Sequence, residues 1–372
     1  MSIIKYNLGV LSDSDIKRLI DKKNIFSQKI INQKQIQPAS IDLSVSRDVW
    51  RVKSSFLPSS NNTVENKIDR LSMHKIDLKE GAVLEKGCVY IAKINESLNL
   101  PHNISATANP KSSTGRLDIF TRLITDYAME FENVPLGYSG PLYLEISPRT
   151  FSVLLKENVC LNQIRFKCGV KTLNDEETTS LQNRKGLIVG ALGELNIKDG
   201  VPLSVNLSGD DKGLIGYKAR KHTDLIDVEK ISFYNVEDYW EDVTIRDLSS
   251  GGLILNPDEF YILASREYVS IPEKYAAEMR AYDTRVGEFR AHYAGFFDPG
   301  FGMASLGASP TRAVLEVRSH EVPFLIEEGQ TVCRLFFEPM SSQPKQLYGI
   351  QGSGSNYQSQ GLKLSKNFNF NR

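Results

Sequence analysis

The sequence predicts a mainly β protein with short helices, built as two tandem β-barrel or β-sandwich domains that arose by internal duplication. Short apolar runs separated by glycine, proline and asparagine turns indicate the β class, and repeated segments indicate the duplication. A chain of 372 residues is also long enough for roughly two to three domains.

The predicted elements begin with a helix and continue with strands. The segment SDSDIKRLIDKKNI has the start signal of a helix, with Ser12 or Asp13 as its N-cap. Further along, runs rich in β-branched and aromatic residues lie between turn residues, which is typical of short strands. These runs include CVYIAKI, GPLYLEI, FSVLLKE, NQIRFKC, EFYILAS, RAVLEVR, VPFLIEE and TVCRLFFE.

Three pairs of segments recur in the same order. PASIDLS (38–44) matches PLSVNLS (202–208), 164 residues later, and VYIAKINESLNLPHNISA matches FYILASREYVSIPEKYAA, 171 residues later. A third pair aligns Glu145 with Glu316. Chance likeness between β-rich segments is the alternative, but the shared order favours duplication. We therefore predict domains at 1–171 and 199–372, joined by a linker at 172–198.

Charge and cysteine content exclude several classes of protein. Lys+Arg and Asp+Glu both number 45, so no global basic field indicates nucleic acid or membrane, and any anionic ligand needs a local cluster. The N-terminus lacks a signal-peptide core and no apolar run reaches the ~20 residues of a membrane span, so we expect a cytoplasmic protein. Cys88, Cys160, Cys168 and Cys333 form no C-x-x-C pair and are expected to be reduced core residues.

The segment KSSTGR (111–116) is a candidate anion cradle. Ser112 and Ser113 offer hydroxyl donors next to backbone N–H groups, and the planar guanidinium of Arg116 matches phosphate oxygens. A serine-rich turn without function is the alternative. Ser112 follows Pro101 by eleven residues, and at the same distance after Pro272 the second half has Asp283, which would repel a phosphate. The cradle is therefore expected only in the first half.

The segment AGFFDPGFG (294–302) shows the opposite distribution. An Asp-Pro-Gly turn between aromatic residues, just before alternating apolar residues, predicts the shaped mouth of a hairpin. In the first half, Pro135 and Leu136 replace the Asp-Pro pair, which indicates a degraded or reshaped pocket. Each half therefore keeps the part that the other has lost.

These motifs in this order resemble the dCTP deaminases of the dUTPase-like fold, in their double-length, two-domain form. The resemblance rests on QPASIDLSV, KSSTGRL, AGFFDPGFG, AVLEVRS and the tail SNYQSQGLKLSKNF, which are spread over nearly the whole chain. It implies two distorted, jelly-roll-like β-barrels, a deoxynucleoside triphosphate substrate (dCTP or dUTP), and homo-oligomers whose active sites form between domains of different subunits. It also implies deamination of dCTP to dUTP and ammonia in pyrimidine deoxynucleotide biosynthesis. Contact between the two halves of one chain would satisfy the same division of motifs.

Deamination needs a water that attacks C4 and a group that moves its protons. One carboxyl can take the proton of the water and deliver protons to N3 and to the leaving ammonia. It can do so in an apolar pocket, where its pKa rises toward neutrality. Glu316 in VLEV suits this role and matches the family's catalytic glutamate, although an isolated glutamate is more often an exposed strand residue. Glu145 in YLEI follows the damaged mouth, so we expect a vestigial or supporting carboxylate there.

The resemblance also assigns the substrate-binding residues. Ser112 and Ser113 would hold the phosphates and the attacking water, with Arg116 neutralising charge beside them. The nucleoside would meet residues of the mouth: backbone at Ala294 and Gly295 would contact the cytosine edge, Asp298 and Gly300 would shape the turn or meet the sugar hydroxyl, and Phe296, Phe297 and Phe301 would line the ring. Core packing is the alternative for the aromatics. His292 is a candidate second proton handler, and a structural histidine is the alternative that we favour.

The tail is a candidate closing arm. A frayed terminus is the alternative, but the match to the family makes Tyr348, Tyr357 and Gln360 candidates to cover the triphosphate. Asn356 stands where the family usually has a lysine, so Lys363 or Lys366 would have to supply that phosphate contact.

Other chemistries remain to be separated from this hypothesis. A zinc deaminase needs H-x-E followed by P-C-x-x-C, and the sequence has neither, so the expected metal is Mg²⁺ bound through the triphosphate, with no zinc. A dUTPase, a bifunctional dCTP deaminase/dUTPase and a non-catalytic nucleotide-binding protein stay open as alternatives. Inhibition by dTTP and the preference among cytosine nucleotides also stay open.

Overall fold

The structure is a computed structural model that divides into two compact units. It describes residues 6–169, 171–191, 195–281, 289–292, 295–309, 311–319, 321–350 and 357–370. The N-terminal unit contains Met1–Lys171, Asp224–Ile231 and Met340–Gln346. The C-terminal unit contains Thr172–Thr223, Ser232–Pro339 and Leu347–Arg372.

The N-terminal unit is a β structure with three short helices. Its helices are α1 (Asp13–Asp21), α2 (Val64–Leu71) and α3 (Ser112–Gly115). Its strands are β1 (Gly9–Val10), β2 (Ile25–Ser27), β3 (Ile41–Val52), β4 (Ser72–Asp77), β5 (Ala82–Leu84), β6 (Val89–Asn99), β7 (Ile104–Pro110), β8 (Ile119–Thr125), β9 (Asn133–Val134), β10 (Ser139–Pro148), β11 (Val153–Leu155), β12 (Cys160–Cys168) and β16 (Ile226–Asp227).

A long antiparallel sheet organises this unit. Its strand order is β8-β10-β6-β3-β12-β7-β9, with β1, β2 and β4 attached to β12, β6 and β3, and β16-β11-β5 form a separate small sheet. The first helix begins as predicted: Ser12 is its N-cap, and its Oγ accepts a hydrogen bond from the Asp15 backbone N–H in a capping box.

The C-terminal unit has the same character. Its helices are α4 (Asp175–Lys185) and α5 (Val236–Tyr239). Its strands are β13 (Ile188–Val189), β14 (Val201–Ser204), β15 (Leu214–Ala219), β17 (Tyr234–Asn235), β18 (Trp240–Thr244), β19 (Gly252–Leu255), β20 (Phe260–Val269), β21 (Tyr275–Ala281), β22 (Phe289–His292), β23 (Phe296–Phe297), β24 (Arg312–Ser319), β25 (Phe324–Glu327), β26 (Thr331–Pro339) and β27 (Phe368–Asn369).

Two larger sheets carry this unit. They have the orders β18-β15-β20-β24-β22, with β13 attached to β20, and β14-β26-β21-β23. Between them lies a hydrophobic core to which β24 contributes Ala313, Leu315 and Val317, all fully buried. The segment predicted as a linker, 172–198, contains α4 and β13. The mainly β class is confirmed.

The two units repeat the same strand pairings. Glu145 on β10 lies opposite Ile91 on β6, and Glu316 on β24 lies opposite Ile262 on β20. Leu84 and Val153 pair as Leu255 and Phe324 do, again 171 residues later. Equal registers at several places follow from duplication and would be hard to obtain by chance.

The structure corrects one register of the repeat. Ser44 donates its backbone N–H and its hydroxyl to Glu96 (2.9 and 2.8 Å), and Ser204 does the same to Glu267 (2.8 and 2.5 Å). Ser44 therefore corresponds to Ser204 and not to Ser208. An insertion between β14 and β15 shifts the later pairing, because Trp50 and Tyr217 lie opposite the equivalent Ile91 and Ile262.

The cysteines are only partly as predicted. All four are free thiols; Cys168 and Cys333 are buried, and burial raises the pKa of both thiols. Cys88 and Cys160 are half-buried and do not belong to a core. Within the described ranges, no helix combines the length and the apolar character needed to cross a membrane.

Candidate active site

Glu316 lies in the middle of β24, between two neighbouring strands. Its backbone pairs with Ile262 on β20 and with His292 on β22, and its side chain is 5% exposed. Because Leu315 and Val317 point into the core, alternation places Glu316 on the other face together with Val314, which is also buried. The carboxyl is thus enclosed on a face distinct from the main core.

The mouth segment forms a tight, internally bonded turn. Asp298 is buried, and its carbonyl accepts from the Phe301 N–H at 3.2 Å. Gly300 and Gly302 have φ values of 99° and 65°. A Cβ on Gly302 would lie 2.0 Å from the Val269 carbonyl oxygen, so this position requires glycine for both conformation and space.

The aromatic residues of the mouth have different environments. Phe297 and Phe301 belong to the hydrophobic core, with ring centroids 5.0 Å apart in an edge-to-face contact, and Tyr348 packs on Phe301 at 5.5 Å. Phe296 is only partly buried and projects away from this cluster, since it is adjacent to Phe297 in β23. Of the three phenylalanines, Phe296 is therefore the one that lies outside the hydrophobic core.

Some residues of the predicted site lie outside the part of the chain that the structure describes. Ala294 and Asn356 are not among the described residues, and for His292 only the backbone is described. The Gly295 carbonyl accepts from the Met279 N–H at 2.9 Å, so it is already paired within the unit.

The arm residues 357–360 contact the turn and the start of β24. Gln360 pairs with Arg312 through the Arg312 N–H (3.2 Å) and through its own Nε2, which donates to the Arg312 carbonyl (3.4 Å). Tyr357 is buried, and its hydroxyl accepts from the Lys366 backbone N–H at 3.2 Å. The Lys363 ammonium lies 5.7 Å from the centre of the Tyr357 ring. Tyr357 and Gln360 thus both help to fold the arm.

Gln358 is a residue that the sequence did not single out. Its side-chain amide bonds to the backbone of Gly300 and Gly302 in the turn. Nothing in the local sequence distinguishes it from the other polar residues of the tail, so only the structure could identify it.

The phosphate-cradle candidates lie in the N-terminal unit, on α3 and the residue after it. Ser112 is exposed and Ser113 is partly exposed, whereas Arg116 is 3% exposed. Lys111, which precedes them, forms an ion pair with Asp42 of the QPASIDLSV motif. Two of the motifs that carry the resemblance therefore meet. In the corrected register Asp42 corresponds to Pro202, so the second half has lost this acidic partner as well.

Glu145 is in a different state from its counterpart. It is 1% exposed, and its Oε1 accepts from Arg122 Nε and Nη2 at 3.0 and 2.6 Å. Arg122 lies opposite Glu145 on β8, where β22 has His292 opposite Glu316. Arg122 is itself held by the Ser55 hydroxyl and lies 3.5 Å from the ring centre of Phe131. Extending the repeat by one strand would have revealed this difference.

The pocket beside Glu145 is filled by the chain itself. Glu132 occupies the position of Gly295, because its carbonyl accepts from the Ala108 N–H as that of Gly295 does from Met279. Its Oε2 is buried, and burial raises the pKa of this carboxyl to about 8 despite hydrogen bonds to the Leu123 backbone and the Asn162 amide. The Glu132 side chain of the N-terminal unit therefore occupies space that Gly295 leaves open in the C-terminal unit.

The segment 53–71 closes the same region. Its backbone bonds to the 126–128 loop, through the Ser59 N–H to the Ala128 carbonyl (3.1 Å) and the Val64 N–H to Asp126 (2.7 Å). Phe56 and Leu57 pack on the small core around Tyr143. Glu145 is therefore enclosed by its own unit, and the structure places Glu316, the mouth turn and the arm together in the C-terminal unit.

Comparison with known proteins agrees with this arrangement. The family model for the 2'-deoxycytidine 5'-triphosphate deaminase (DCD) N-terminal domain matches residues 7–170, and the C-terminal domain model matches residues 174–368. A crystal structure of 2'-deoxycytidine 5'-triphosphate deaminase from Agrobacterium tumefaciens is 49% identical, with a TM-score of 0.86, over 92% of this chain and 99% of that one.

Curated relatives match a shorter part of the chain. A dUMP-forming dCTP deaminase of Methanosphaera stadtmanae is 30% identical over 145 residues, which is 38% of this chain and 68% of that protein. A dCTP deaminase of Natronomonas pharaonis is 26% identical over 160 residues, 42% of this chain and 79% of that protein. Since the two domain models run through nearly the whole sequence, the chain belongs to the 2'-deoxycytidine 5'-triphosphate deaminase family, a family of hydrolases that deaminate dCTP.

Proposed function

We propose that this chain converts dCTP to dUTP and ammonia, with Glu316 of the C-terminal unit as the proton shuttle. The observation that carries the assignment is the difference between the two equivalent glutamates. The Arg122 guanidinium forms an ion pair with Glu145 and donates two hydrogen bonds to its Oε1, so this carboxylate already has a fixed partner. A carboxylate fixed in this way is a poor carrier of protons. Glu316 has a histidine, and not an arginine, at the equivalent backbone position.

The reaction needs two proton transfers from one water. Glu316 takes a proton as the water oxygen bonds to C4, and passes it to N3. The remaining hydroxyl proton then moves through the same carboxyl to the amino nitrogen as C4 becomes a carbonyl, the C4–N bond breaks and ammonia leaves. The balance is dCTP plus water giving dUTP plus ammonia. A buried carboxyl that shuttles protons contributes about 10²–10⁴ in rate.

The binding roles follow the division of motifs. The turn at Asp298 and Gly300, together with Phe296, would hold the nucleoside, and Gly295 would contact the base through its backbone. Ser112, Ser113 and Arg116 would hold the phosphates. Tyr348, Tyr357 and Gln360 would position the arm over the triphosphate.

The cradle supplies neutral and cationic donors and not a set of carboxylates. Its nearby Asp42 is engaged by Lys111, and Asp118 accepts from the Thr150 hydroxyl at 2.6 Å. This set suits a triphosphate that brings its own Mg²⁺, which would reduce the charge on the phosphates. A cytoplasmic location stays a prediction from the sequence.

A pair of matched substitutions tests the role of Glu316. Glu316→Gln keeps the shape of the side chain but cannot carry the proton, so kcat for ammonia release should fall by about 10²–10⁴ while the Kd for dCTP stays within about threefold. Glu145→Gln removes a carboxylate that is enclosed with Arg122 and should lower kcat by less than about tenfold. Reversed effects would assign the chemistry to the N-terminal unit.

We further propose that the cradle of one chain serves the mouth of another in a homo-oligomer. Ser113→Ala and Glu316→Gln variants, each nearly inactive, would be unfolded and refolded together. Mixed oligomers would contain some sites with an intact cradle and an intact glutamate, so activity should return. Mixtures as inactive as the parents, with subunit exchange shown by mass spectrometry, would place both parts of the site on one chain.

Formation of dUMP is the second candidate activity, because relatives such as that of Methanosphaera stadtmanae are dUMP-forming. The product distinguishes the two directly. Chromatography of a reaction with dCTP should show dUTP and ammonia without pyrophosphate. Stoichiometric dUMP and pyrophosphate from dCTP would establish the bifunctional reaction.

A further inference from the structure

The side-chain amide of Gln358 joins three backbone groups from two parts of the C-terminal unit. Gly302 donates its N–H to Gln358 Oε1 at 3.1 Å. Gln358 Nε2 donates to the Gly300 carbonyl at 3.1 Å and is 3.5 Å from the Tyr348 carbonyl. The amide oxygen of Gln358 therefore accepts from the turn and its amide nitrogen donates to the same turn, as the two ends of a backbone peptide group would.

The turn needs an external partner of this kind. Gly300 and Gly302 both have positive φ, a conformation that glycine enters at little cost but also leaves easily. The Tyr348 N–H donates to the Pro299 carbonyl at 2.8 Å, so the first part of the arm also contacts the turn. Gln358 also packs against the first part of the arm, next to Tyr348, because a Cβ placed on Gly349 would lie 2.6 Å from Gln358 Nε2.

The neighbours of Gln358 hold the arm elsewhere. The Ser359 hydroxyl accepts from the Ser309 N–H at 2.9 Å, and Gln360 pairs with Arg312. The arm therefore has anchors that do not involve the turn. Loss of the Gln358 amide should change the turn without releasing the arm.

We propose that Gln358 is a positioning residue that fixes the Asp298–Gly302 turn in its nucleoside-binding shape and so couples docking of the arm to affinity for the nucleoside. The proposal rests on the proposed function, in which this turn holds the nucleoside. Gln358 acts through the backbone of the turn and not by contact with the reacting atoms. Its loss should therefore weaken binding of dCTP and leave the chemical step nearly unchanged.

Two substitutions and one control test this role. Gln358→Met keeps the length of the side chain and removes both hydrogen bonds, which should raise the KM for dCTP about tenfold with kcat within about threefold. Gln358→Glu at pH 8 places a carboxylate against the Gly300 carbonyl and should raise KM further. Ser359→Ala, which removes a contact on the same arm away from the turn, should leave KM within about twofold of wild type.

The pH dependence separates positioning from general loss of structure. A protonated glutamate has one donor and one acceptor and can imitate the amide of Gln358. The KM of Gln358→Glu relative to wild type should therefore fall toward one between pH 8 and pH 5.5, whereas the same ratio for Gln358→Met should stay constant. Three results would each overturn the proposal. They are KM ratios with the same pH dependence in both variants, a KM unchanged from wild type in both variants, and a loss of activity confined to kcat.

A second measurement keeps this test independent of the deaminase assignment. Hydrogen exchange read by mass spectrometry should show faster exchange in peptides covering 298–302 for Gln358→Met than for Ser359→Ala. If wild type does not deaminate dCTP, the proposed function fails, while this exchange difference still reports on the turn. Equal exchange in the two variants would show that Gln358 does not hold the turn.

Discussion

Replacing Glu132 by glutamine should change how the stability of the N-terminal unit depends on pH. Burial raises the pKa of this carboxyl from 4.5 to about 8. Between these values the folded state binds a proton that the unfolded state releases. The stabilisation is therefore fully present below about pH 4.5 and is lost as the pH rises through about 8.

The magnitude follows from the size of the shift. Each unit of pKa difference is worth about 1.4 kcal/mol, and over the interval from pH 5 to pH 8 wild type should lose about 3 kcal/mol of its free energy of unfolding at this residue. The residue as a whole is only partly buried, but its Oε2 is out of contact with solvent, so screening by water should be weak. Glutamine cannot ionise, so the Glu132→Gln variant should lack this loss.

Tryptophan fluorescence can report on this unit alone. The chain has two tryptophans: Trp50 is in the N-terminal unit and Trp240 is in the C-terminal unit. In a Trp240→Phe background, urea unfolding followed through Trp50 at pH 5, 6.5 and 8 gives the pH profile of the unit. Glu130→Gln, at an exposed position of the same loop, is the matched control and should follow wild type. Parallel profiles for Glu132→Gln and wild type would refute the argument that this carboxyl is neutral when folded.

Two further predictions concern the whole enzyme. Exhaustive chelation of zinc should leave dCTP deamination intact in the presence of Mg²⁺, whereas activity that is lost on chelation and restored only by zinc would overturn the zinc-free proton shuttle that we propose. Because Glu132 and the segment 53–71 fill the N-terminal pocket, titration of the Glu316→Gln variant with dCTP in a calorimeter should give one bound nucleotide per chain; two per chain would show that the N-terminal pocket opens.

The sequence was sufficient for features that depend on local chemistry. The Ser12 cap, the β class and the alignment of Glu145 with Glu316 all follow from residue types and short spacings, and the structure agrees with them. The register of PASIDLS was wrong because the matching letters of PLSVNLS run past the end of β14 into the segment before β15, so they do not follow the strand pairing. A match of seven letters cannot show which of two serines meets the glutamate on β6 or β20.

The rest of the candidate site depends on contacts that are distant in the sequence. Arg122 pairs with Glu145 only because β8 lies beside β10. Glu132 fills a pocket only because the segment around β9 has this register against β7. Gln358 meets the turn across a separation of more than fifty residues. Such pairings follow from the tertiary fold, which propensity and spacing do not determine.

The pairing of Arg122 with Glu145 also limits how this chain can change in evolution. An N-terminal half that regained independent activity would have to replace both Arg122 and Glu132, since either residue alone leaves the pocket occupied. The C-terminal half would have to replace Pro202 and rebuild a cradle. Under the function that we propose, neither half would therefore gain a complete site of its own by a single substitution.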